Sequence, residues 1–154
     1  PHIQLLIIEH FENSRNKSLK KELIALIKKY KLEKQIHFIN YIDNVAKYIN
    51  MIDIILIPTE VEPFSHSDIE AMALKKPIIA SRTGGLKEII KHGKSGLLIP
   101  PKDSQKLKKS IEFLIQHPEK RKEYGENGFN IYKDRFRIEN CIFKLVKLYN
   151  KLAS

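Results

Sequence analysis

Tryptophan is missing from the 154 residues and cysteine occurs once, at Cys141. A single thiol cannot close an internal disulfide, and a chain without disulfides fits a reducing compartment. No apolar run approaches the roughly 20 residues that cross a bilayer as a helix. The uninterrupted apolar runs are short, such as Leu5 to Ile8, Leu23 to Ile27 and Ile54 to Ile57. No segment reads as a signal peptide, so the expected location is cytoplasmic. Metal and covalent chemistry have little to work with, because there is no Asp-x-Asp and no cysteine-histidine cluster with zinc spacing. Glu60, Glu62 and His66 could in principle converge on a cation, but no metal is expected. Cys141 lies in a helical pattern with no histidine nearby to activate it, and is expected to be packed. Internal repeats and low-complexity linkers are absent as well.

Positive charge is what the chain has in excess. The formal net charge is +10. It is unevenly shared, since residues 101 to 154 hold 13 Lys and Arg against 7 Asp and Glu. Such a surface favours polyanions or the anionic inner face of a membrane, where the protein would be peripheral. A lysine-rich composition that writes Lys at every solvated helix position explains it equally well. Few aromatics sit among the lysines at stacking intervals, so no nucleic acid is expected as a partner.

The length suits one domain, residues 1 to 154, and 42% hydrophobic content is enough for a core. Ile3 to Ile8 reads as a buried strand, followed by a polar loop from Glu9 to Lys17. Leu19, Leu23, Leu26, Ile27 and Tyr30 recur at helical spacing and predict a helix over 18–31 with Lys20, Lys21, Lys28 and Lys29 facing water. Ile36 to Ile39 gives a second strand, in which His37 alternates with apolar neighbours and reads as a strand residue, not a ligand. A short helix from Val45 to Ile49 and a third strand from Ile52 to Ile57 follow. A helix at 67–75, a strand from Ile78 to Ser81, a helix from Leu86 to Lys91 and a strand from Gly96 to Ile99 come next. Leu107, Ile111, Leu114 and Ile115 mark a helix capped near Asp103 or Ser104, and Pro118 suits the first turn of another. The last helix carries Ile138, Ile142, Leu145, Tyr149 and Leu152 on one face and Lys144, Lys147 and Lys151 on another. Strands alternating with helices predict an α/β fold, a Rossmann-like parallel sheet flanked by helices.

The stretch from Pro58 to Glu88 holds the functional candidates. It begins where a strand ends, and it carries Glu62 and Glu70. A strand, an acid-bearing loop and a small-residue helix place functional groups at the carboxyl edge of a parallel sheet, where open α/β folds bind ligands. Pro63 forces Glu62 away from helical angles, while Glu70 lies in the first turn of a helix expected to turn Ile69, Met72 and Ala73 inward. Between the two acids, Ser65, His66 and Ser67 can aim backbone N–H groups at a phosphate, because the first turn has unpaired donors and the positive end of the dipole. Ser67 to Glu70 also matches a capping box, in which the two residues satisfy each other's backbone donors. On spacing alone both readings of Glu70 stay open. Gly84 and Gly85 allow close backbone approach to a ligand, or form a tight turn before a helix. Gly93-Lys94-Ser95 is not a phosphate-binding P-loop, because the glycine required five residues earlier is Glu88. It reads as a turn.

Glu62-Pro63-Phe64, Ile69-Glu70-Ala71-Met72-Ala73, Lys76-Pro77-Ile78-Ile79-Ala80-Ser81, Gly84-Gly85, Glu88 and then His92 to Leu98 resemble, in order, the E-x7-E region of retaining, nucleotide-sugar-dependent glycosyltransferases of the family 4 type. The resemblance covers most of the carboxyl-terminal, donor-binding half of the two-domain GT-B fold. It implies that Glu62 faces the donor sugar as the catalytic residue and that Glu70 holds the ribose hydroxyls. It further implies that Phe64, Ser65, His66, Ser67, Gly84 and Gly85 line the nucleotide-sugar site. The loop Asn40-Tyr41-Ile42 would lie by the base, where Tyr41 can stack; a loop tyrosine covering the core explains it equally well. The final helix would return across to the amino-terminal domain.

Departures from the family pattern are informative. Ser65 stands where these enzymes usually have Gly after the Phe, and Lys76 where Gly usually precedes the Pro. The strand and helix that open the family's donor half, with the Arg and Lys that clamp the diphosphate, have no counterpart before Ile3. The glycine-rich turn is replaced by Glu9 to Asn13. The missing strand normally lies between those corresponding to Ile3–Ile8 and Ile52–Ile57, so either these two pair directly or the chain is a piece of a longer protein. The second is expected, Pro1 not being an initiator.

The expected activity is therefore transfer of a sugar from a nucleotide-diphosphate sugar to an acceptor with retention of configuration. This chain would supply the donor-binding half, need no metal cofactor, and take its acceptor-binding amino-terminal domain from outside these residues. The alternative is a non-catalytic basic Rossmann-like module that binds an anionic surface or partner.

Overall fold

The structure, a computed structural model, describes residues 3–8, 14–39, 44–61 and 66–153. The chain divides into two compact units, residues 1–45 and 46–154.

The first unit is one β-α-β crossover. Strand β1 (Leu5–Ile8), helix α1 (Ser14–Lys29) and strand β2 (Ile36–Ile39) follow in order. β1 and β2 pair in parallel with Leu5 opposite Ile36 and Ile8 opposite Ile39, which is the pairing a helical crossover permits. Helix α1 starts at Ser14, four residues before the expected start at 18. The first turn of a helix needs no apolar residue, so the periodic signal begins a turn late. The helix ends with Lys31 in the left-handed region at φ 56° and with the Leu32 amide donating to the Ile27 carbonyl. His37 sits on the strand surface, its Nε2 2.7 Å from Oε1 of Gln4.

The second unit is built on a three-stranded parallel sheet. After α2 (Val45–Met51), its elements are β3 (Ile55–Ile57), α3 (His66–Ala73), β4 (Ile78–Ser81), α4 (Leu86–Ile89), β5 (Gly96–Ile99), α5 (Ser104–Gln116), α6 (Pro118–Arg135) and α7 (Ile138–Ala153). β4 is central, with Ile57 opposite Ala80 on one side and Ser81 opposite Ile99 on the other. Every residue of β4 is buried. Its alternation divides the core into two layers, because successive side chains point to opposite faces. Ile78 and Ala80 pack with Ala71, Met72 and Leu86, while Ile79 packs with Ile99, Leu114 and Tyr124. β3 is three residues shorter than expected, because α2 continues to Met51 and the chain turns at Ile52, whose amide donates to the Ile49 carbonyl.

Helix ends account for much of the remaining order. Asp103 caps α5 by accepting from the Lys106 amide at 2.8 Å. The Arg121 guanidinium donates to the carbonyls of Leu114 and Ile115 at 2.6 and 3.1 Å, closing the other end of α5. Gly125 and Gly128 let α6 lie against α3: a Cβ on Gly125 would run into the Lys75 carbonyl, and one on Gly128 would stand 3.2 Å from Met72 Cγ.

One expectation is corrected here: Cys141 is exposed, not packed. It lies on α7, where every residue from 141 to 152 is exposed because the described residues leave the helix's apolar face uncovered.

Candidate functional site

The carboxyl ends of β3 and β4 position the candidate residues. β3 ends at Ile57 and β4 at Ser81, and α3 and the 82–85 turn follow them. Of the residues singled out from sequence, Tyr41, Glu62, Phe64 and Ser65 lie outside the described residues. His66, Ser67, Glu70, Gly84 and Gly85 lie within them.

Helix α3 begins at His66, one residue before the expected 67, and ends at Ala73, two residues before the expected 75. This places Ser67 inside the first turn, so it is not the capping residue that a box with Glu70 requires. Glu70 is exposed, and its carboxylate has no hydrogen bond or ion pair among the described residues. Its carboxylate is therefore available to a ligand one turn into a helix whose N-terminus follows the sheet edge. His66 and Ser67 are exposed in the first turn, where backbone donors lack helical partners.

The shifted start also changes which side chains turn inward. Asp68, Ala71 and Met72 are buried, whereas the expected Ile69 and Ala73 are only half-buried. Asp68 is wholly buried, and its Oδ1 accepts from the Ile69 amide at 2.9 Å. Sequence reasoning missed Asp68, although the spacing of 68, 71 and 72 carries the signal.

The turn after β4 is held by backbone bonds: the Arg82 amide donates to the Ile99 carbonyl at 2.7 Å, Thr83 to Ser81 at 2.8 Å and Leu86 to Thr83 at 3.1 Å. Only one of the two glycines uses an angle closed to other residues. Gly84 has φ 42°, whereas Gly85 is in the ordinary helical region at φ −69°. Gly85 is the N-cap of α4.

The lysine at 76 is accommodated without backbone cost. The left-handed angle after α3 falls on Lys75, at φ 56°, and Lys76 extends toward α2, its Nζ donating to the Asn50 carbonyl at 2.8 Å. Glu60 is held by an ion pair with Lys102 at 3.0 Å, both side chains being largely exposed. Gly93 to Ser95 form a turn, as expected, in which Ser95 Oγ accepts from the Lys91 amide at 3.0 Å.

Residues 1–131 match the model of the family described as glycosyl transferases group 1. The chain belongs to that family. A glycosyltransferase of Methanocaldococcus jannaschii that is itself uncharacterized is 38% identical over 111 residues, which cover 72% of this chain and 31% of that protein. Sucrose-phosphate synthase from Thermosynechococcus elongatus superposes with a TM-score of 0.87 at 29% identity, over 98% of this chain and 39% of that one. HepE of Anabaena, solved in complex with UDP, superposes with a TM-score of 0.91 at 24% identity, over 98% of this chain and 42% of that one, which shows a shared fold. This group 1 glycosyltransferase chain is thus α/β, with parallel sheets flanked by helices as in the C-terminal domains of GT-B enzymes. It spans about a third of the length of the curated relatives it matches.

Proposed function

We propose that this group 1 glycosyltransferase chain binds a nucleotide-diphosphate sugar and serves as the donor half of an enzyme that transfers the sugar with retention at the anomeric carbon. The observation that carries the reading is Glu70: an exposed carboxylate without a partner among the described residues, one turn into the helix that leaves the sheet's carboxyl edge. In this reading Glu70 accepts from both ribose hydroxyls, and the amides of Ser65, His66 and Ser67 hold the diphosphate as negative charge develops on it. Glu62 orients the donor sugar, with Phe64 beside it, Tyr41 stacks on the base, and Gly84 and Gly85 border the phosphates. No metal has a role. The acceptor is bound by a further domain, and the protein works in the cytoplasm, peripherally attached where its basic surface meets an anionic membrane. HepE supports the ligand class through the fold it shares, having been solved with UDP.

Calorimetric titration with UDP, ADP and GDP tests the assignment. A charge-assisted hydrogen bond is worth about 1.5–3 kcal/mol, so Glu70→Gln is expected to weaken the preferred nucleotide roughly ten- to a hundredfold. Undiminished affinity in the variant would overturn it.

A further inference from the structure

We propose that a cavity beside the start of α5 binds a single neutral sugar ring, independently of the donor site. The cavity has a volume of about 170 Å³ and lies at the carboxyl ends of β3, β4 and β5. Ser81 and Ile99 are its buried lining residues, Leu107 and Asp103 are half-buried, and Pro58, Pro100, Lys102 and Ser104 form its exposed rim. Ser81 alternates with Ala80 along β4, so it shares the face of Ile79 and Leu114, opposite the layer in which Ala71 and Met72 of α3 are buried. The donor candidates on α3 belong to the other face.

The hydroxyl of Ser81 is the feature that space-filling does not explain. Ser81 is 1% exposed, lines the cavity, and has no side-chain hydrogen bond among the described residues. At the same sheet edge Thr59 Oγ1, next to Pro58, and Thr83 Oγ1, two residues past Ser81, are buried without a hydrogen-bond partner among the described residues. A ligand in the cavity can complete the Ser81 hydroxyl, which faces it.

The charges at the rim select the class of ligand. Lys102 is held at 3.0 Å by Glu60, Asp103 brings a carboxylate, and the Lys106 amide, the α5 donor nearest the cap, is already taken by Asp103. The rim therefore offers no net positive charge, and a phosphate is disfavoured. A carboxylate, two serine hydroxyls and an ammonium beside the apolar Ile99 and Leu107 suit a pyranose, which presents hydroxyls at its edge and C–H groups on its face. The volume lies below the ~300–1,000 Å³ of drug-sized pockets, so one ring fits and a nucleotide does not.

Amide-resolved NMR of the purified protein, titrated separately with methyl α-glucopyranoside, methyl α-mannopyranoside, methyl α-galactopyranoside, N-acetylglucosamine and inorganic phosphate, tests this. At least one sugar at millimolar concentration is expected to shift the amides of Ser81, Lys102 and Ser104. Ser81→Ala should weaken that sugar several-fold, and Ser104→Trp, a change at an exposed position that closes the mouth, should abolish it while UDP-induced shifts around α3 persist. Shifts caused by phosphate alone, no shifts with any sugar, or sugar shifts that survive Ser104→Trp would overturn the proposal. Sugar shifts at Ser81 without any UDP response at α3 would uphold this cavity and sink the donor assignment instead.

Discussion

Glu70 shows how one residue's meaning turns on where its helix starts. Had α3 begun after Ser67, the carboxylate would have closed a capping box; starting at His66, it is left exposed. The sequence pattern 67–70 is the same in both cases, and single-residue shifts of a helix start are set by the backbone leading into it, which spacing does not reveal. Lysines at left-handed angles tell a similar story. Lys31, Lys75 and Lys102 have φ of 56°, 56° and 62°, at positions that glycine occupies without steric penalty. Lys75 has compensation from an ion pair with Glu126 at 3.0 Å and from the ring of Phe129. Lys31 stands at the end of α1, and Lys31→Gly is expected to stabilise the protein by about 1 kcal/mol. A thermal melt checks it, and a lowered midpoint would contradict it.

At the scale of elements, the strands were legible because buried parallel strands write short apolar runs between turns, and β4 and β5 match their expected bounds residue for residue. The caps of α5 and α6 were legible too, through Asp103 and Pro118. What spacing did not reveal is helix-on-helix approach. Gly125 and Gly128 sit inside a helix, where glycine is ordinarily a weak choice, and only the contact with α3 explains them. Gly125→Ala is therefore expected to cost about 1–3 kcal/mol through overpacking against the Lys75 backbone, although alanine has the better helix propensity. Denaturant unfolding measures it. A neutral or stabilising result would mean that α6 does not approach α3 as closely as described.

For the whole molecule, the α/β architecture and the order of motifs were readable from the sequence, whereas half of the site was not resolvable from spacing. The wide apolar face of α7 was readable as a face, but its exposure depends on what surrounds it, which no pattern encodes. The uneven basic charge was equally readable and equally ambiguous. Attachment to an anionic membrane would fall steeply between low and moderate salt and would ignore Glu70→Gln, whereas nucleotide binding is expected to depend on Glu70. The 154-residue chain alone is expected to bind nucleotide diphosphates weakly and to transfer no sugar, because the cationic clamp and the acceptor domain of the family pattern have no counterpart in it. Steady turnover of a nucleotide sugar by the purified chain would contradict that. The central claim, that Glu70 holds a ribose, is tested most directly by titrating wild type and Glu70→Gln with a nucleoside diphosphate and its 2′-deoxy form. The account predicts that wild type binds the ribonucleotide more tightly than the deoxynucleotide and that Glu70→Gln erases the difference. Equal discrimination by both proteins would contradict it.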